Sequence, residues 1–155
     1  MVTTYHPMFV HFPIALLVIA GIVALIDFLQ PNYHLKKVIL WDLVAGTIGA
    51  CIAVLSGLRD ASVIPHNETI HAILEVHEDF GKAILILSTV LSIWFLIRQL
   101  KMKKIENLIF VLIIWFGMAM IGYTAYLGGK MVYDNGAGIK PMQKTFPIED
   151  HDHDD

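Results

Sequence analysis

Eight histidines stand in a chain with only 16% charged residues, and five of them fall in two short stretches. "HPMFVHFP" carries His6 and His11, while "HNETIHAILEVHEDFGK" carries His66, His71 and His77 among Glu68, Glu75, Glu78 and Asp79. Each stretch leads into a long apolar run. A neutral imidazole offers one nitrogen lone pair, so two imidazoles facing each other across a helix bundle meet the axial requirement of a b-type haem, haem b. The sequence contains no Cys-x-x-Cys-His, which excludes covalent c-type attachment. For haem the candidate ligands are His6, His11, His71 and His77. The same region also suits a bare ion: His11, His71, His77, Glu75 and Glu78 are donor types that hold Zn, Cu or Fe. Glu68 and His71 have the Glu-x-x-His spacing of di-metal bundles, but such sites use the motif twice and it occurs once here. A third reading needs no ligand. Histidine is amphipathic and comfortable at an interface, and carboxylates in a first helical turn complement the helix dipole. His11 fits that reading least, because it lies inside an apolar run and ionisable groups there are functional candidates.

Composition says what must position these residues. The chain has 155 residues, 56% of them apolar, and a mean hydropathy of +0.64. A soluble domain is about a quarter charged, so the deficit points to a protein of the lipid bilayer. A net charge of −3, without a basic stripe interleaved with aromatics, gives no nucleic-acid partner. The single Cys51 lies in an apolar run, excludes an intrachain disulfide and reads as a small buried side chain.

A bilayer core takes about 20 residues of helix. Four runs approach that length, at about 8–29, 38–58, 80–97 and 108–127. Unpaired backbone amides in hydrocarbon cost several kcal/mol, so these runs must be helices. The expected fold is all-α, a polytopic four-transmembrane-helix bundle over residues 1–140. An acidic His/Asp tail follows at 141–155, expected to be unstructured and solvated, with His151 and His153 as weak cation donors at most. Pro13 is tolerated in a first turn, so the first helix starts near residues 9–12 or starts earlier and kinks. Gly21, Gly46 and Gly49 lie inside spans, where small residues let backbones approach. Gly128 and Gly129 are placed to end the fourth helix with a positive φ, and Gly136 and Gly138 to allow a fold-back.

The positive-inside rule puts the loops with Lys36 and Lys37, and with Arg98, Lys101, Lys103 and Lys104, in the cytoplasm. The N-terminus, the 59–79 connection and the tail then face outward, and seven of the eight histidines gather on that side. Helical rise separates His6 from His11 by about 7.5 Å, and His71 from His77 by about 9 Å. On that spacing His11 lies level with His77, and His6 with His71, and the pair expected to hold the haem is His11 with His71 or His77. Two haems at such levels are crowded, so one is expected. Arg59 and Lys82, at the outer ends of the second and third spans, could meet haem propionates, and snorkelling accounts for them as well.

Three stretches together, "HPMFVHFPIAL", "LSGLRD" and "GGKMVYDNGAG", resemble the bacterial membrane proteins grouped as domain of unknown function 2231. The resemblance covers roughly residues 5–140 and carries over to His6, Pro7, His11, Phe12 and Pro13, and to Gly128, Gly129, Val132, Tyr133 and Gly136. His71 is the best match to the family's histidine before the third span, and His77 is not assigned by it. The resemblance implies a four-helix protein of the bacterial inner membrane. Some members appear fused to, or encoded beside, c-type cytochrome modules, which implies a respiratory setting and favours haem; the expected role is electron transfer between quinone and a periplasmic acceptor such as a c-type cytochrome.

Overall fold

Proline decides how the chain enters its first helix. The computed structural model describes residues 5–63 and 68–136, so expectations for His66, Gly138, His151 and His153 lie outside the described residues. Pro7 sits in the first turn of α1 (His6–Phe9), where its missing N–H has no partner to lose. Pro13 withholds an N–H from the preceding turn, and the backbone bends at Val10 before α2 (His11–Leu29) continues. Bonds from Val10 N–H to His6 O at 3.2 Å and from Ile14 N–H to Val10 O at 3.3 Å carry the helix across the bend. The first span therefore starts early and kinks.

The other helices are α3 (Tyr33–Val63), α4 (Glu68–Arg98) and α5 (Lys104–Tyr133). The described residues contain no strand, and four helical segments are long and apolar enough to cross a membrane. The 31 residues of α3 or α4 extend about 46 Å, well beyond the roughly 30 Å of a hydrocarbon core. Polar residues such as Arg59, Asp60 and Glu68 to Asp79 therefore continue helices instead of forming a loop.

Consecutive helices pack antiparallel. α2 and α4 each lie between α3 and α5, so α2 faces α4 across one diagonal and α3 faces α5 across the other. The α2–α3 and α4–α5 turns share one end of the bundle, with a dense aromatic core. Phe95 and Phe110 are fully buried with ring centres 4.9 Å apart, and Trp94 meets Phe110 at 5.8 Å. Charge ties each turn down. Asp27, 1% exposed, accepts the Lys36 ammonium at 2.8 Å and the Asn32 N–H at 3.0 Å. Arg98 donates two N–H bonds to Glu106, at 2.9 and 3.0 Å, and the Trp94 indole adds a third at 3.1 Å.

In the middle of the bundle, small residues replace large ones. Gly46 faces Leu16 and Leu17, Gly49 faces Pro13, and Gly21 leaves the space that the Met118 sulfur occupies. The hydroxyls of Thr47 and Ser92 hydrogen-bond at 3.0 Å. A cavity of about 20 Å³ beside Leu17, Leu43, Ser88 and Ile114 has room for roughly one water. Large apolar side chains such as Trp41, Ile97 and Phe116 point outward, as lipid allows.

The glycines near the end of α5 act differently from expectation. The helix runs through Gly128 and Gly129 to Tyr133, and the positive φ falls at Gly136, 68°. Its N–H reaches Val132 O at 3.0 Å. Gly128 is instead a side-chain vacancy for a neighbouring ring.

Lys36→Met strands a buried carboxylate, so it is expected to destabilise the purified protein by roughly 3–5 kcal/mol in mixed-micelle denaturation. Adding Asp27→Asn should recover most of that loss. An unchanged midpoint in Lys36→Met would show that the pair does not hold the turn.

Candidate functional site: a pair of inward histidines

A helix turns by about 100° per residue, so residues five or six apart point roughly 140° or 120° away from each other. His6 and His11 are five apart, and His71 and His77 are six apart. Only one of each pair can face the bundle. The inward ones are His6 and His77, both half-buried, with ring centres 5.9 Å apart and planes at 83°. His11 and His71 lie on exposed faces, and His11 Nδ1 meets its own turn at Pro7 O, 2.9 Å away. The expected levels, His11 with His77 and His6 with His71, are thus replaced by one meeting of His6 with His77. Depth alone suggested the first arrangement; helical phase selects the second.

Each ring is anchored the same way. His6 Nδ1 is 2.8 Å from Ala53 O, and His77 Nδ1 is 3.0 Å from Thr124 O. A carbonyl only accepts, so both Nδ1 atoms carry the proton, and a neutral ring keeps its lone pair on Nε2. Histidines that ligate metals are held in this manner, by a backbone acceptor on the other nitrogen. Four residues beyond each carbonyl stands a glycine, Gly57 or Gly128. A helical side chain covers the turn N-terminal to its own Cα, so a larger residue there would cover the carbonyl. A Cβ at 57 would sit 3.0 Å from His6 Nδ1, and one at 128 would sit 3.4 Å from His77 Cε1.

Asp60 completes the site, and sequence reasoning passed it over. The carboxylate is buried, and its Oδ2 accepts the N–H of Tyr5 at 2.7 Å and of His6 at 2.8 Å. The first turn of α1 has no side-chain cap of its own, so α3 supplies one. Arg59 pairs with Asp60 at 3.4 Å and lies 4.5 Å above the Tyr5 ring. The "LSGLRD" stretch therefore provides the ring seat, the cap and its counter-charge. Its one sequence signal was an Arg-Asp pair closing an apolar span.

The remaining candidates stay on the surface of α4. Lys82 is exposed and held at 3.4 Å by both Glu78 and Asp79 of its own helix. Glu75 is exposed, and the i, i+4, i+7 spacing of His71, Glu75 and Glu78 sets them in a row along one face of α4. Among the described residues, no three His, Cys, Asp or Glu side chains gather into a metal cage. The arrangement that remains is a two-nitrogen site. Metal–nitrogen bonds of about 2.0 Å place ring centres roughly 5 Å apart at a tetrahedral angle and roughly 6.4 Å apart when trans. The observed 5.9 Å lies between these limits.

The chain belongs to the family described as Predicted membrane protein (DUF2231), whose model matches residues 3–141. No curated protein and no solved structure matches it. The family match extends over all five helices, including both histidine seats.

Asp60→Ala leaves two amides without their acceptor, at about 1–3 kcal/mol for a buried donor. Hydrogen–deuterium exchange across residues 5–9 is expected to rise about tenfold or more, while Ser62→Ala, on the exposed side, leaves it unchanged. Equal exchange in both variants would remove Asp60 from this role.

Proposed function

We propose that this DUF2231 membrane protein holds one b-type haem between His6 and His77 and passes electrons between quinol in the bilayer and an acceptor such as a c-type cytochrome. The observation that carries this reading is the matched anchoring of two inward imidazoles, each with Nδ1–H on a backbone carbonyl and Nε2 left for a ligand. Haem asks the protein for only two axial donors, because the porphyrin supplies the others. That count agrees with a pair to which no third donor gathers among the described residues. When bound, the haem supplies one-electron chemistry.

The chain's residues do the positioning. The Ala53 and Thr124 carbonyls fix the tautomers, and Gly57 and Gly128 leave the rings their seats. Asp60 holds the backbone at His6, and Arg59 offers an exposed cation at the rim. The apolar helices below keep water out and the dielectric low. With Lys36, Lys37, Arg98, Lys101, Lys103 and Lys104 at the opposite end, the charge rule orients the histidine end toward the outer face of a bacterial inner membrane, both termini outside.

A second reading keeps the same pair but replaces haem by a bare zinc, copper or iron ion. The ring spacing supports it: centres 5.9 Å apart fall within the range two imidazoles on one ion would take, whereas a macrocycle has to part them.

The test is the visible spectrum of detergent-purified protein expressed with ample haem and metal. A Soret band that shifts on dithionite reduction is expected in the wild type and in His11→Ala, and is expected to vanish in His6→Ala and His77→Ala. Colourless protein carrying about one metal ion per chain sustains the second reading; protein with neither discards both.

A further inference from the structure

The two histidine seats are one seat built twice. His6 precedes the carbonyl that holds it by 47 residues, and His77 precedes its own by the same 47. An offset of 71 residues separates His6 from His77, Ala53 from Thr124, and Gly57 from Gly128.

The same offset runs through the fold. α3 and α5 begin at Tyr33 and Lys104. Gly46 packs on Leu16 of the preceding helix, and Gly117 packs on Leu87 of its own. The contact of Thr47 with Ser92, between α3 and α4, has its counterpart in the contact of Met118 with Gly21, between α5 and α2. Buried positions correspond as well: Ala20 with Leu91, Ala24 with Phe95, Ile39 with Phe110, and Leu43 with Ile114. Asp27 and Arg98 occupy equivalent places, each tying its turn to the following helix, with the charge reversed.

α2 and α4 run in the same direction, so the operation relating the halves is a pseudo-two-fold axis along the bundle, the geometry of a parallel repeat. A residue can touch its own counterpart only near that axis. His6 and His77 do so, and Leu17 with Ser88, and Leu43 with Ile114, line the cavity below them.

We infer that the chain is a duplicated helical hairpin whose halves contribute equivalent half-sites, His6 with Gly57 and His77 with Gly128, to one ligand on the axis. This inference rests on the two-histidine reading above and specifies the ligand class. The bound group presents the same coordination to both halves, as a metalloporphyrin or an ion between two nitrogens does. An ion held mainly by the acidic residues of α4 does not.

Hemin titration of the full-length protein in detergent tests the equivalence. His6→Ala and His77→Ala should each weaken binding at least about tenfold and agree within about threefold, and the double variant should be little worse than either. One single variant binding like wild type overturns the inference. If the wild type takes up neither hemin nor zinc, the two-histidine reading fails, and melting of Gly57→Val and Gly128→Val then decides the duplication. Each added side chain pushes an imidazole off its carbonyl, so matched losses of about 5 °C or more are expected, with little change in Gly122→Val, whose surroundings are open. Matched losses retain the duplicated seat; a loss from one variant only overturns it.

Discussion

A carbonyl in mid-helix already accepts the amide four residues on, and a ring donor from a neighbouring helix approaches it more easily where no side chain at that fourth residue crowds it. This constraint governs the histidine end of the bundle. Gly57 uncovers Ala53 O and Gly128 uncovers Thr124 O, and each opening takes one imidazole N–H. Without those acceptors, a ring N–H drawn in among apolar helices would be left unpaired, a cost of several kcal/mol in hydrocarbon. Helical phase turns His6 and His77 inward, the two glycines leave room for their rings, and the carbonyls decide which nitrogen each keeps for a ligand.

The rest of the packing supports this division. The turn end carries the closely packed rings of Phe95, Phe110 and Trp94, and ion pairs hold both of its turns. The histidine end carries Gly57, Gly128 and the buried carboxylate of Asp60. In lipid the large apolar side chains gain little by facing inward, so close approach of small residues stabilises the bundle there. An end built from small residues leaves room between helices for polar rings.

Much of this was legible in the sequence and some was not, for identifiable reasons. Hydropathy placed the four spans, because a helix in hydrocarbon cannot be disguised, and the gathering of histidines at one end followed from the alternation of loops. Which histidine of each pair faces inward depends on helical phase, and phase depends on whether "HPMFV" is helix or approach. The structure makes it helix, with the kink Pro13 imposes at Val10. Gly128 and Gly129 resembled a helix end because they follow an apolar run, and a glycine serving a ring 51 residues earlier has no local signature. Asp60 was hidden for the same reason: its partners lie 54 and 55 residues away. The repeat is hidden because equivalent positions share packing but not chemistry, as Ala24 and Phe95 or Asp27 and Arg98 show.

The place where the repeat breaks also has a physical cause. Asp60 corresponds by the 71-residue offset to Met131, so only one half puts an acid beside its histidine. His77 sits in the third turn of α4, where helical bonds already employ its amide. His6 opens a helix of four residues, and its amide and that of Tyr5 are taken by the Asp60 carboxylate of α3. In a setting poor in water those two donors need an acceptor, and the residue one turn beyond Gly57 is the nearest place on α3 to provide it. Arg59 then balances the carboxylate. The asymmetry comes from where the chain begins its first helix, not from a difference in what the two rings offer. Both imidazoles still present Nε2 from a carbonyl-anchored, glycine-backed seat, which is why the centre can be symmetric in a protein whose halves share so few side chains.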